Sequence, residues 1–146
     1  SSQITIEYDE FRKVTVVTTN REKPTKTPKL SLLAVKEMVA ESPQKNLISL
    51  RFISTSDDWE YLECHPLVAL ADGQPVELGE SEHDGTVGDG YVLEFVTVDV
   101  NIKTLYTFAR ASEVKFKLCN DVILLTSAEI GKIREFYAAL APPPKP

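Results

Sequence analysis

The chain has 146 residues, 42% of them apolar and 26% charged, which suits one globular domain able to bury a core without metals or bridges. Its net charge of −6 at pH 7 argues against nucleic acid as the main partner, because neutralising phosphates takes a basic face. No run approaches the roughly 18 consecutive apolar residues of a membrane span, and the N-terminal SSQITIEYDE has neither the basic nor the apolar region of a leader.

Strand signals dominate the first two thirds. QITIEY alternates Ile4, Ile6 and Tyr8 with Thr5 and Glu7, RKVTVVTT is rich in β-branched residues, and the short DEF between them predicts a hairpin. NREKPTKTPK then gathers Arg21, Lys23, Lys26 and Lys29 into what reads first as a solvated loop and second as a small anion-binding patch. LSLLAVKEMVA has helix-forming composition yet alternates acceptably among strands, so it is read as a strand. LISLRFI places Ile48, Leu50 and Phe52 on one face, and WEYLEC follows the turn-like STSDD as a further strand. In PLVALADGQPVEL, Asp72-Gly73 between two apolar runs is a strong local hairpin signal.

Residues 79–90, GESEHDGTVGDG, read as a glycine-rich loop leading into YVLEFVTVDV. That run is apolar on both parities, which predicts a strand covered on both faces or central in its sheet. NIKTLYTFARA spaces Ile102, Leu105, Phe108 and Ala109 as a helix with Asn101 as N-cap. EVKFKLC and VILLT are two more strands, joined by a tight turn at Asn120-Asp121. TSAEIGKIREFYAAL is the clearest helix, with a capping box at Thr126 and Glu129 and one stripe of Ile130, Ile133, Phe136, Tyr137 and Leu140. APPPKP ends it as a polyproline tail. The fold class is therefore α+β: a mainly antiparallel sheet of roughly seven to ten strands with two late helices, the last packed on the sheet. Residues 1–141 are expected to form a single globular domain and residues 142–146 a disordered tail.

Chemistry-bearing residues are few. Between Arg51 and Lys103 there is no Lys or Arg, while acids recur throughout. Calcium takes six to eight oxygens from acids alternating around a glycine, and Glu80, Glu82 and Asp84 do alternate before Gly85, with Asp89 beyond. No distal Glu follows at the required spacing, so the stretch reads as a solvated loop, with a weak calcium or magnesium site on Glu80, Glu82, Asp84 and Asp89 as the alternative. No other cofactor is expected. Cys64, His65, His83 and Cys119 are zinc-ligand types, but adjacent residues of a strand point to opposite faces, so Cys64-His65 suits one site poorly. The two cysteines read as packed thiols, with a disulfide as the alternative.

Nucleophilic catalysis needs an activated nucleophile beside a base, and two histidines leave few bases. Ser81 near His83 lies in no G-x-S-x-G, and GTVGDG precedes a strand where phosphate-cradling loops precede a helix. Trp59 and Tyr61, beside Asp57 and Asp58, could form a recognition surface if exposed, and core positions if not. The expectation is a non-catalytic binding domain with a protein partner. The absence of an initiator Met fits a module of a secreted or surface-anchored protein. A divalent-cation-dependent hydrolase using acids of the 80–90 stretch is the alternative, and a piece of a larger assembly pairing through edge strands is a third reading.

Overall fold

A computed structural model of the chain describes residues 4–19, 23–37 and 47–140, with the side chains of 35–37 and 47 left out of the description. Ten strands and two helices follow in the order β1 (Ile4–Asp9), β2 (Val14–Thr19), β3 (Lys29–Glu37), β4 (Leu47–Ser56), β5 (Leu67–Ala71), β6 (Gln74–Val76), β7 (Glu82–Gly88), β8 (Tyr91–Val100), α1 (Ile102–Ala109), β9 (Val114–Leu118), β10 (Asp121–Leu124) and α2 (Ser127–Leu140). They form two antiparallel sheets, one of six strands in the order β1-β2-β3-β4-β8-β7 and one of four in the order β10-β9-β5-β6. The α+β reading holds, and α2 packs on β1, β2 and β3 as its apolar stripe requires.

The side-chain period of two divides each sheet into an inward and an outward set. Inward go Leu30 and Leu32 of β3, Ile48, Leu50 and Phe52 of β4, Val96 and Val98 of β8, and Leu67, Phe116, Leu118 and Ile123 of the smaller sheet. Ile130, Ile133, Phe136 and Leu140 of α2 join the same core. Phe116 is central: its ring lies 5.0 Å from Phe52 of the larger sheet and 5.3 Å from Phe108 of α1.

Local signals predicted several element ends. Asn101 Oδ1 accepts from the Thr104 N–H at 2.8 Å and so starts α1. Thr126 and Glu129 exchange side chain to backbone bonds of 3.0 and 3.1 Å, the expected capping box. Asp72 and Gly73 both take positive φ, the conformation a two-residue hairpin turn demands. The stretch from 29 to 37 is a strand, as read; 38–40 lie outside the described residues, as do Arg21 and the tail expected at 142–146.

Five expectations are corrected. Residues 82–88, taken for loop, form edge strand β7 because each finds a partner on β8, with Glu82 opposite Thr97 and Gly88 opposite Tyr91. WEYLEC is no strand: the N–H groups of Glu60 and Tyr61 donate to a carboxylate of β8 in place of a neighbouring strand. The turn before β10 is Cys119-Asn120, one residue earlier than expected, with Leu118 paired to Asp121 and Cys119 at φ 54°. Of the two expectations for β8, double coverage fails: the strand lies inside the sheet, between β4 and β7, but is covered on one face alone, with Val92, Glu94, Val96 and Val98 buried and Leu93, Phe95 and Thr97 half-exposed. Finally, Cys64 and Cys119 are joined in a disulfide, their Cα atoms 5.4 Å apart, because the last turn of the smaller sheet returns beside the 57–66 crossover.

Candidate functional site

Strands β7 and β8 carry different chemistry on their two faces. Inward, Glu94 is 1% exposed, a carboxylate in the middle of an apolar strand. Its Oε2 accepts from the Glu60 N–H at 2.9 Å, and its Oε1 accepts from the Tyr61 N–H and from His83 Nε2, both at 2.9 Å. A buried carboxylate is tolerable only when so satisfied. Glu94 thus stands in for the missing ladder of residues 60 and 61, and His83 of β7 completes it. The indole of Trp59 packs beside the His83 ring at 5.8 Å and rests on Gly85, where an added Cβ would lie 2.7 Å from the indole and from the Leu93 carbonyl. That close approach is why β7 carries glycine at its centre.

His65 stacks on His83, ring centroids 5.8 Å apart, and its Nδ1 is 2.8 Å from Ser81 Oγ. Ser81 Oγ in turn donates to the His65 carbonyl oxygen, so the hydroxyl proton is held by a backbone acceptor and Nδ1 is the donor to Oγ. This is the reverse of an activated serine, whose proton goes to the imidazole. Glu94–His83 and His65–Ser81 are two separate pairs and form no acid–base–nucleophile relay. Tyr61 is buried, and its hydroxyl donates to Asp121 Oδ2 at 2.8 Å. Burial first, and then the Asp121 carboxylate, push its phenol well above the ordinary tyrosine value. Of the expected recognition pair, Tyr61 is therefore core and Trp59 half-buried.

Outward, the same strands present Glu82 and Asp84, both exposed. Glu80 precedes β7, and Asp89 sits in the β7–β8 turn. The four acids proposed as calcium or magnesium ligands are thus distributed along 80–90, and among the described residues no group of three or more His, Cys, Asp or Glu could hold a metal ion. Glu82 and Asp84 instead border a concavity of about 510 Å³ whose wall includes Ser49, Arg51, Phe95, Thr97 and Asp99. Arg51 and Phe95 also line a groove of about 750 Å³ that crosses the outer face of the six-stranded sheet. Leu33, Ile53 and Leu93 give it an apolar floor, and Thr5, Thr18, Ser31, Ser49 and Thr97 supply hydroxyls.

The Arg51 guanidinium lies 5.0 Å from the centre of the Phe95 ring, a cation–π contact, and has no ion pair among the described residues. Stacked on an aromatic and in no such ion pair, the planar fork has donors left to receive an anionic group, with Glu82, Asp84 and Asp99 on the border of the same concavity. Sequence reading missed this surface, since its residues come from strands far apart in the chain. The available signal was the outward parity of LISLRFI and YVLEFVTVDV, where Arg51, Ile53, Leu93 and Phe95 share a face. Of the cations in NREKPTKTPK, Lys23 and Lys26 are exposed and Lys29 is half-buried on the outward parity of β3.

Searches against protein-family models and against curated proteins find no match to the chain.

Proposed function

We propose that the protein is a non-catalytic binding domain that holds an extended protein segment against the outer face of its six-stranded sheet. The observation that carries this reading is the groove itself. It joins five strands into one surface in which Leu33, Ile53, Leu93 and Phe95 surround Arg51, and no described element covers it. The opposite face of the same sheet is buried under α2 and the smaller sheet. Apolar contacts flanked by hydroxyls and one stacked arginine match the usual make-up of a protein interface, where aromatic and arginine anchors carry most of the affinity. The acids Glu82, Asp84 and Asp99 on one border disfavour phosphate backbones. The disulfide supports a site of action outside a reducing compartment, in keeping with a secreted or surface module.

The hydrolase alternative draws no support from the arrangement of its residues, because Glu82 and Asp84 point outward and His83 inward on alternate positions of β7. The binding reading is tested with a displayed random-peptide library. Selected peptides should bind the wild-type protein saturably, and Arg51→Ala and Phe95→Ala should each weaken them about tenfold or more, as a loss of roughly 1.4 kcal/mol or greater at an anchor requires. Circular dichroism checks that both variants are folded. Selected peptides indifferent to both substitutions would overturn the reading.

A further inference from the structure

The outer face of the four-stranded sheet is a second surface that no described element covers, and it has a different pattern. The register puts Val68, Lys117 and Val122 in one row across β5, β9 and β10, and Leu70, Lys115 and Leu124 in the next. Val68, Val122 and Leu124 are more than half exposed and Leu70 more than a third. Outward positions of a half-buried sheet ordinarily carry polar residues, yet each lysine here is flanked on both sides by an aliphatic. Lys115 Nζ has one long, exposed ion pair, 3.9 Å to Glu113, and Lys117 has none among the described residues. Two residues apart on one strand, the lysines present their charges roughly 7 Å apart.

The complementary pattern is on the other sheet. Glu82 and Asp84 are also two residues apart on one strand, outward, exposed and without an ion pair among the described residues. Phe95 stands directly opposite Asp84 in the register, so that carboxylate also has an apolar neighbour. We infer that the Lys115/Lys117 face of one copy docks on the acidic β7–β8 face of a second copy. This rests on the reading of the larger sheet's outer face as a protein-binding surface. Pairing the lysine face with itself would oppose like charges, whereas lysine against carboxylate gives both sign and spacing a partner. Since two different patches meet, the contact is head to tail and either closes into a ring or propagates.

Sedimentation velocity over a concentration series, at about 0.05 M and about 0.5 M salt, tests this, because screening at the higher strength weakens exposed charge pairs. The expected result is a mass that rises with concentration and falls with salt. The double variants K115E/K117E and E82K/D84K should each associate at least tenfold more weakly, and an equimolar mixture of the two should recover association, since each then offers the other complementary faces. A wild-type chain that stays monomeric overturns the inference, as does association that ignores either double variant or is not recovered on mixing. Association lost in the lysine variant alone assigns that face to another anionic occupant, such as an acidic protein or a lipid surface, and likewise overturns it. K115E/K117E should keep the binding of library-selected peptides, so monomeric protein with intact peptide binding removes this inference and leaves the binding reading in place.

Discussion

Strands β7 and β8 show one backbone serving two tasks on its two faces. Inward, Glu94 and His83 meet at 2.9 Å and secure the crossover between the sheets, with both carboxylate oxygens committed to donors. Outward, Glu82 and Asp84 have no ion pair among the described residues, and Arg51 lies on Phe95 with none either. Acids on two neighbouring strands, Glu94 of β8 inward and Glu82 and Asp84 of β7 outward, therefore differ completely in what they can do. A satisfied buried charge stabilises and orients, and is unavailable for recognition; an unsatisfied surface charge costs little to keep and is free to meet a partner.

Substitutions should separate the two faces by size of effect. Glu94→Ala leaves His83 and two backbone N–H groups without their acceptor in a buried site, and should cost about 3–5 kcal/mol in urea unfolding. Glu94→Gln, which keeps an acceptor oxygen, should cost less. Replacing Cys64 and Cys119 together with Ala opens a loop of 55 residues' separation and should cost about 2–4 kcal/mol, read by thermal unfolding without reductant. A loss well below 1 kcal/mol in either experiment would contradict the fastening described for the 57–66 crossover.

Tyr61→Phe removes one hydrogen bond to an exposed carboxylate and should cost about 1 kcal/mol. It also carries a pH signature. The folded-state phenol is raised above its unfolded value of roughly 10, so the folded state holds its proton longer, and stability should fall as pH rises above about 10. In the Phe variant that part of the alkaline decline should be absent. The smallest effect belongs outside: Glu82→Gln, Asp84→Asn and Asp89→Asn together should change stability by less than about 0.5 kcal/mol, and calcium or magnesium should shift the melting temperature of this variant no less than that of the wild type. A saturable ion-dependent rise present in the wild type alone would restore the metal reading of 80–90.

What the sequence disclosed follows the range of the interactions involved. The capping box at Thr126 and Glu129, the Asn101 cap and the Asp72-Gly73 turn are set by residues within three positions of each other, and all were legible. Strand β7 was not, because its central glycine, Gly85, is explained by the Trp59 ring and its pairing by β8. WEYLEC has a strand-like composition but spends its N–H groups on Glu94, 33 and 34 positions away. The clue was one acid inside YVLEFVTVDV, a residue type that rarely enters a core without donors arranged around it. The Cys64–Cys119 bond and the groove around Arg51 likewise depend on segments brought together by topology, which residue spacing does not encode.

The central claim is that the outer face of the six-stranded sheet is the binding surface. The most direct test maps amide chemical-shift changes as a library-selected peptide is titrated into isotope-labelled protein. The account predicts saturable changes concentrated in residues 31–33, 49–53 and 93–97, with the 60–61 and 116–118 amides unmoved. Changes centred instead on the 57–66 crossover and its His65–Ser81 pair, with the outer strands silent, would contradict it.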